Sequence, residues 1–230
     1  MGIIIRQASI STVFSYLGAI LGFLNVSLLM NRLFTIEQFG LREALLSIAV
    51  IAATFSSLGS VSSLVRFFPF FNREGKNDGG LLSISIIISF FGFLITAIIL
   101  FLIQNTVIET YIGRTTLFKE YFWVLFPLTF LLLMNLVLEG YIKARARTAL
   151  TTFVKEVFHR FLITIILVLF YYELIDFRLF IVVFLCAYFL TLVIYVIHLQ
   201  LEGELFVKID FRYFPNKMRK VYFNYSFFSI

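Results

Sequence analysis

The 230 residues are 61% hydrophobic, 19% aromatic and only 14% charged, with a formal net charge of +6 and a mean hydropathy of +1.00. So few polar side chains cannot cover the apolar remainder in one water-facing core, which excludes an ordinary soluble domain and implies an all-α integral membrane protein. The single cysteine, Cys186, lies in the middle of an apolar run, so an internal disulfide is excluded and the residue reads as a small buried hydrophobe.

Six apolar stretches follow in chain order: residues 10–33, 44–68, 81–103, 122–138, 151–172 and 179–199. Each has the ~17 to 25 residues that carry a helix across a bilayer. The first runs on into Asn31-Arg32 without a small-residue cleavage site, so it reads as its own insertion signal, not a removable leader. Met1-Gly2 resembles the start of a myristoylation motif, but Arg6 stands where Ser or Thr is required. The connections at 34–43, 104–121 and 173–178 are short, and FNREGKNDGG at 71–80 is a polar turn. Residues 204–220 mix aromatic and basic side chains, the pattern of an amphipathic linker in the headgroup plane, and 221–230 turns apolar again as the start of a seventh helix. The expected organisation is a six-helix lobe over 1–203, the linker, and that seventh helix, cut short within a longer protein.

Basic residues sort by loop. Arg6, Arg66, Arg73, Lys76, Lys143, Arg145, Arg147, Lys155, Arg160 and the five of the 204–220 linker fall on one side; Arg32, Arg42, Arg114, Lys119 and Arg178 fall on the other. Fourteen against five makes the richer side cytoplasmic, with the N-terminus inside. The basic excess is thereby a topology signal with some attraction to anionic lipid, and no nucleic-acid partner is expected.

Polar groups within the spans are the candidates for chemistry. Ser11, Ser15, Gly18, Gly22 and Asn25 follow one helical face, and Arg32 lies seven residues further on. Small residues of this kind let a neighbouring helix approach closely, whereas Asn25 and Arg32 have two open readings, packing or a wet cavity. Similar stripes run through Ala49, Ala52, Ser56, Ser60 and Ser63, and through Ser85, Ser89, Gly92 and Thr96, as though several helices packed round a common axis. In the fourth span Asn135, Glu139 and Lys143 stand four apart, either a helix-end ion pair or a gate at the cytoplasmic mouth. The fifth span has only twelve uninterrupted apolar residues, so to cross it must include Lys155, Glu156, His159 and Arg160. Lys155 with His159, and Glu156 with Arg160, are i,i+4 pairs that should face water or protein. His159 and His198 are each read either as hydrogen-bonded structural histidines or as proton-carrying groups. Neither a nucleotide-binding loop, nor a metal-ligand spacing, nor a nucleophile elbow occurs, so no cofactor, no metal and no enzymatic activity are expected.

The stretch LLMNRLFTIEQFG, with Glu37, Gln38, Phe39 and Gly40, and then SSLGSVSSLVRFFP, with Leu58-Gly59 and Arg66-Phe67, resembles the opening of the polysaccharide-exporter branch of the multidrug/oligosaccharidyl-lipid/polysaccharide flippase superfamily. The resemblance covers the first third of the chain. It implies a two-lobed, MATE-like transporter of the bacterial inner membrane. Its cargo would be an undecaprenyl-pyrophosphate-linked oligosaccharide, an O-antigen or capsule repeat unit, carried from the inner to the outer leaflet by alternating access against a second lobe. Guanidinium and ammonium groups suit such a compact anionic headgroup. Arg32, Arg42, Arg66, Lys155 and Arg160, with Asn25, are the candidate cargo-binding residues. Asn135, Glu139, Lys143, Glu156 and His159 are candidates for a gate or relay. Only Arg32 and Arg66 of these sit within the family motifs. Two alternatives remain: a drug or cation antiporter of the same superfamily, which would carry unpaired acids deep in its helices, and a membrane polymerase or ligase, which would need a larger outer loop.

Overall fold

The computed structural model describes residues 2–71, 80–112 and 117–203, and no strand occurs among them. The amphipathic linker and the seventh helix expected at 204–230 lie outside the described residues, as do Arg73, Lys76 and Arg114.

Helix α1 (Gly2–Phe23) continues without a break through a π-helical segment (Leu24–Met30) into the short α2 (Asn31–Leu33). The connection expected at 34–43 collapses to Phe34 and Thr35, because α3 (Ile36–Ser56) starts early. Thr35 caps it in a reciprocal box: its hydroxyl accepts from the Gln38 amide at 3.2 Å while the Gln38 side chain accepts from the Thr35 amide at 3.1 Å. Phe34 locks the corner edge-on against Phe170, Phe177 and Phe180, with ring centroids 5.1, 5.8 and 4.8 Å away.

The span expected at 44–68 is two helices, α3 and α4 (Ser60–Phe71). The Ser56 and Ser57 hydroxyls turn back onto the Ala52 and Thr54 carbonyls, both at 2.7 Å, and Leu58 and Gly59 then adopt left-handed backbone with φ of 46° and 67°. Serines that bond preceding carbonyls bend helices, and two successive left-handed residues end this one. Next come α5 (Leu81–Leu102), α6 (Gln104–Ile112), α7 (Leu117–Tyr121) and α8 (Leu125–Ala144), so most of the expected outer loop at 104–121 is helical. After the turn at Arg145–Arg147, α9 (Thr148–Thr152), a second π segment (Phe153–Phe158) and α10 (His159–Tyr171) form one continuous helix over residues 148–171. Helix α11 (Phe177–Leu201) closes the described fold, capped by Asp176, whose carboxylate accepts from the Leu179 amide at 2.8 Å.

Among the described residues five helices are long and apolar enough to cross a membrane: Ile5–Leu33, Ile36–Ser56, Leu81–Leu102, Leu117–Ala144 and Phe177–Leu201. The helix over 148–171 is about 36 Å long at 1.5 Å per residue, but Lys155, Glu156 and Arg160 keep it out of that set. Two clusters of buried side chains hold the two ends of the bundle. One gathers Met30, Phe34, Leu41, Phe122, Leu167 and Phe180, and the other Leu64, Leu82, Val137, Tyr141, Val154 and Leu199. Between them the outward surface is apolar, with Phe55, Phe91, Ile98, Phe161 and Val182 exposed, which only a hydrocarbon surround makes favourable. Cys186 is exposed on this surface, not buried as expected, because it lies on the outward side of α11 and needs no packing partner in lipid.

The small-residue stripes do not share one axis. Those of the second and third spans meet each other: the Ser60 and Ser89 hydroxyls are 2.8 Å apart, and the backbone of Gly92 rests against the Ser56 carbonyl. The stripe of α1 instead packs along the 148–171 helix, which supplies the extensive contacts of α1. A Cβ on Gly18 would lie 2.6 Å from Glu156 Cβ and 2.8 Å from the Glu156 carbonyl oxygen, and one on Gly22 would strike the Arg160 guanidinium. The GxxxG thus seats α1 directly on the charged half of its neighbour.

Candidate functional site

A cavity of about 560 Å³ lies between α1, α3, α8, α10 and α11. Along α3 it runs from Arg42 to Thr54, about 18 Å of the bundle's depth. Of the residues singled out in the sequence, Asn25, Arg42, Asn135, Glu139, Lys155, Glu156, His159 and Arg160 line it. Arg32, Arg66 and Lys143 do not.

Arg32 is exposed at the end of α2. On an ideal helix, seven residues return to the same face; here the intervening π segment winds in wider i→i+5 turns and rotates Arg32 off the Asn25 face. Arg66 is exposed on α4, beyond the break that divides the span expected at 44–68. Lys143 is exposed at the end of α8 and reaches the cavity only through Glu139.

The lining groups differ in how far their hydrogen bonds are already spent. Asn25 is buried; its amide donates to the Arg160 carbonyl at 2.8 Å, and the Thr164 hydroxyl lies 2.8 Å from its Oδ1, so it clamps α1 to α10. Asn135 does the same between α8 and α11, donating to the Leu131 and Tyr188 carbonyls at 2.8 and 3.1 Å with the Thr191 hydroxyl 3.1 Å from its Oδ1. Arg160 pairs with Glu156 at 2.6 Å and donates to the Gly18 carbonyl at 2.5 Å, so the expected i,i+4 pair forms and is held under α1. The other expected pair does not form. Lys155 turns to Glu139 of α8 at 3.7 Å, and Glu139 also accepts from Lys143 at 2.6 Å. His159 lies instead against Tyr188 of α11, with ring centroids 4.3 Å apart.

Arg42 is different. It is 9% exposed, pairs with its neighbour Glu43, and holds its guanidinium carbon 5.2 Å above the Phe184 ring. Its Nε is buried without a hydrogen-bond partner, and so is Nδ1 of His159. Each such group costs about 1–3 kcal/mol when left unpaired. The sequence showed Arg42 as one of several cations; that its Nε stays without a partner depends on which neighbours α3 and α11 bring, and so was not visible there.

At the opposite end, Glu202 gathers Arg147 and His198, the latter at 3.4 Å, and ties the 145–147 turn to the end of α11. Among the described residues no three His, Cys, Asp or Glu side chains come together as a metal site.

An all-helical bundle with several apolar spans around a largely apolar cavity that carries a few charged groups is the form of a multi-pass membrane protein. Comparison of the chain with protein-family models, curated proteins and solved structures gives no match.

Proposed function

We propose that the bundle is one lobe of a MATE-like, two-lobed transporter of the inner membrane, oriented with its N-terminus in the cytoplasm. Its cargo is a lipid-linked oligosaccharide with a pyrophosphate headgroup, and residues 148–171 form the lobe's fifth crossing in chain order, which brings the crossings to six. One observation carries the reading: the charged lining is Arg42, Lys155 and Arg160 against Glu139 and Glu156, both acids are already engaged by bases, and Arg42 holds a buried donor, Nε, without a partner. A buried, partly unpaired guanidinium favours an anionic group. A proton- or cation-binding antiporter needs the converse, a deep carboxylate without a basic partner. The volume is that of a small-molecule site, suited to the headgroup and an adjoining sugar, with the remaining glycan accommodated against a second lobe. The charged mouth made by Glu139, Lys143 and Lys155 lies on the cytoplasmic side in this orientation and admits the headgroup from the inner leaflet.

The test is complementation of a strain lacking its O-antigen flippase, with surface glycan as readout. The full-length protein with both lobes restores glycan export, Arg42→Ala lowers it by on the order of 10-fold, and Arg32→Ala and Arg66→Ala leave it within about 2-fold. Drug resistance without glycan export assigns the antiporter class instead, and full export by Arg42→Ala removes the proposed role of the cavity.

A further inference from the structure

The two unpartnered buried nitrogens of the cavity wall, Arg42 Nε and His159 Nδ1, belong to residues on facing elements, α3 and α10. We propose that Arg42 and His159 form a proton-linked anion subsite, in which a phosphate-type oxyanion accepts hydrogen bonds from both side chains and brings one proton onto His159 as it binds.

The argument rests on where negative charge is available. His159 shares the cavity wall with Arg42 of α3, whose partner is Glu43, with Tyr188 and Tyr195 of α11, and with Glu139 of α8; the Ala187 carbonyl of α11 also faces its ring, and on its own helix stand Lys155, Glu156 and Arg160. Helix α1 contributes neutral Asn25. Every one of these carboxylates is already engaged: Glu43 by Arg42, Glu139 by Lys143 and Lys155, and Glu156 by Arg160. The counter-charge for an imidazolium must therefore arrive with the ligand. A neutral imidazole offers one donor, whereas the protonated ring offers two, so Nδ1 becomes a donor whichever tautomer it started from. The proton comes from water, no covalent bond other than N–H is made, and the anion's charge holds it in place. Linkage then works in both directions: the anion favours the proton, and the proton favours the anion to the same extent.

The inference deepens the transporter reading and depends on it only for the carrier of the anion. Its test is titration calorimetry on the full chain in lipid nanodiscs, with inorganic pyrophosphate and geranylgeranyl pyrophosphate as probes, in two buffers of different ionisation enthalpy. The wild type is expected to take up roughly half to one proton per ligand more than His159→Gln or His159→Asn, and to bind roughly 10-fold more tightly at about pH 5.5 than at about pH 7.5, beyond any change shared by the variants. Arg42→Gln should weaken both probes by on the order of 10-fold. A thermal melt of each variant confirms folding. Equal proton uptake in wild type and both His159 variants overturns the proposal, as does an unchanged affinity in Arg42→Gln or the absence of binding by the folded wild type. Preference for the prenyl probe assigns a lipid headgroup and equal affinity a free anion, and either supports the subsite. Proton-linked binding without lipid translocation keeps the subsite and removes the transporter; translocation with binding indifferent to His159 does the reverse.

Discussion

Alanine at Gly18 and alanine at Gly40 should change stability in opposite directions, though both glycines lie within helices. Replacing a helical glycine by alanine gains about 0.8–1.0 kcal/mol of propensity. At Gly40 nothing lies within 4 Å of the new methyl, so that gain is realised. At Gly18 the methyl would sit 2.6 Å from Glu156 Cβ and 2.8 Å from the Glu156 carbonyl oxygen. Carbon contacts want about 3.5–4.0 Å, and backbone cannot rotate out of the way, so the two helices must part by roughly 1 Å. Overpacking of this kind costs about 1–3 kcal/mol, and the Arg160 bond to the Gly18 carbonyl, worth about 1 kcal/mol, is strained besides. The net expectation for Gly18→Ala is a loss of about 1–3 kcal/mol; Gly22→Ala, which meets the movable end of Arg160, should lose less. In mixed micelles the equilibrium unfolding transition can be followed through Trp123, the sole tryptophan. A shift of about 2–4 °C per kcal/mol in a thermal melt gives the same ordering. If Gly18→Ala proves as stable as Gly40→Ala, α1 does not rest on the 148–171 helix as described.

Three further outcomes follow from the same contacts. Thr35→Ala removes the capping box at the corner between α2 and α3 and should cost about 1 kcal/mol in the same melts. A double-mutant cycle of Asn25→Ala and Thr164→Ala should give a coupling of about 0.6–1.7 kcal/mol, and zero coupling would mean that the 2.8 Å bond is not made. Cys186 should resist charged thiol reagents in intact membranes and react after detergent denaturation; rapid labelling in membranes would place that side of α11 in water.

How far the sequence spoke depends on whether a feature is local. Helix existence was legible from apolar runs, because a span must satisfy its own backbone in hydrocarbon. The Glu156–Arg160 pair was legible too, because i,i+4 spacing brings such groups together in nearly any helix. The choice of Glu139 by Lys155 was not, since the helix could offer His159 at the same spacing and only the packing of α8 against the 148–171 helix decides between them. The break at Ser57–Gly59 had a local signal in Ser-Ser-Leu-Gly, which the surrounding apolar residues outweighed in a reading by hydropathy alone. Neither π segment has a signature in composition, yet the one at Leu24–Met30 carried Arg32 away from the cavity.

The two π segments lie on the two helices that pack together, and each borders a polar group turned into the interior: Asn25 lies within the first, and His159 and Arg160 directly follow the second. A wider turn advances the helical face, so residues before and after it point differently than regular spacing dictates. That is how one helix presents Glu156 and Arg160 to α1, Lys155 to α8 and His159 to α11, three directions within six residues. A regular helix would hold Lys155 and His159 on one face and leave α8 or α11 without its charged partner. Deleting Phe153 to restore regular winding should therefore uncouple Lys155 from Glu139 while leaving the spacing of Glu156 and Arg160 intact. A charge-swap pair, Glu139→Lys with Lys155→Glu, tests this through thermal stability. It should recover part of the stability lost by the single changes in the natural chain, where Lys143 also loses its partner, and none in the deleted one.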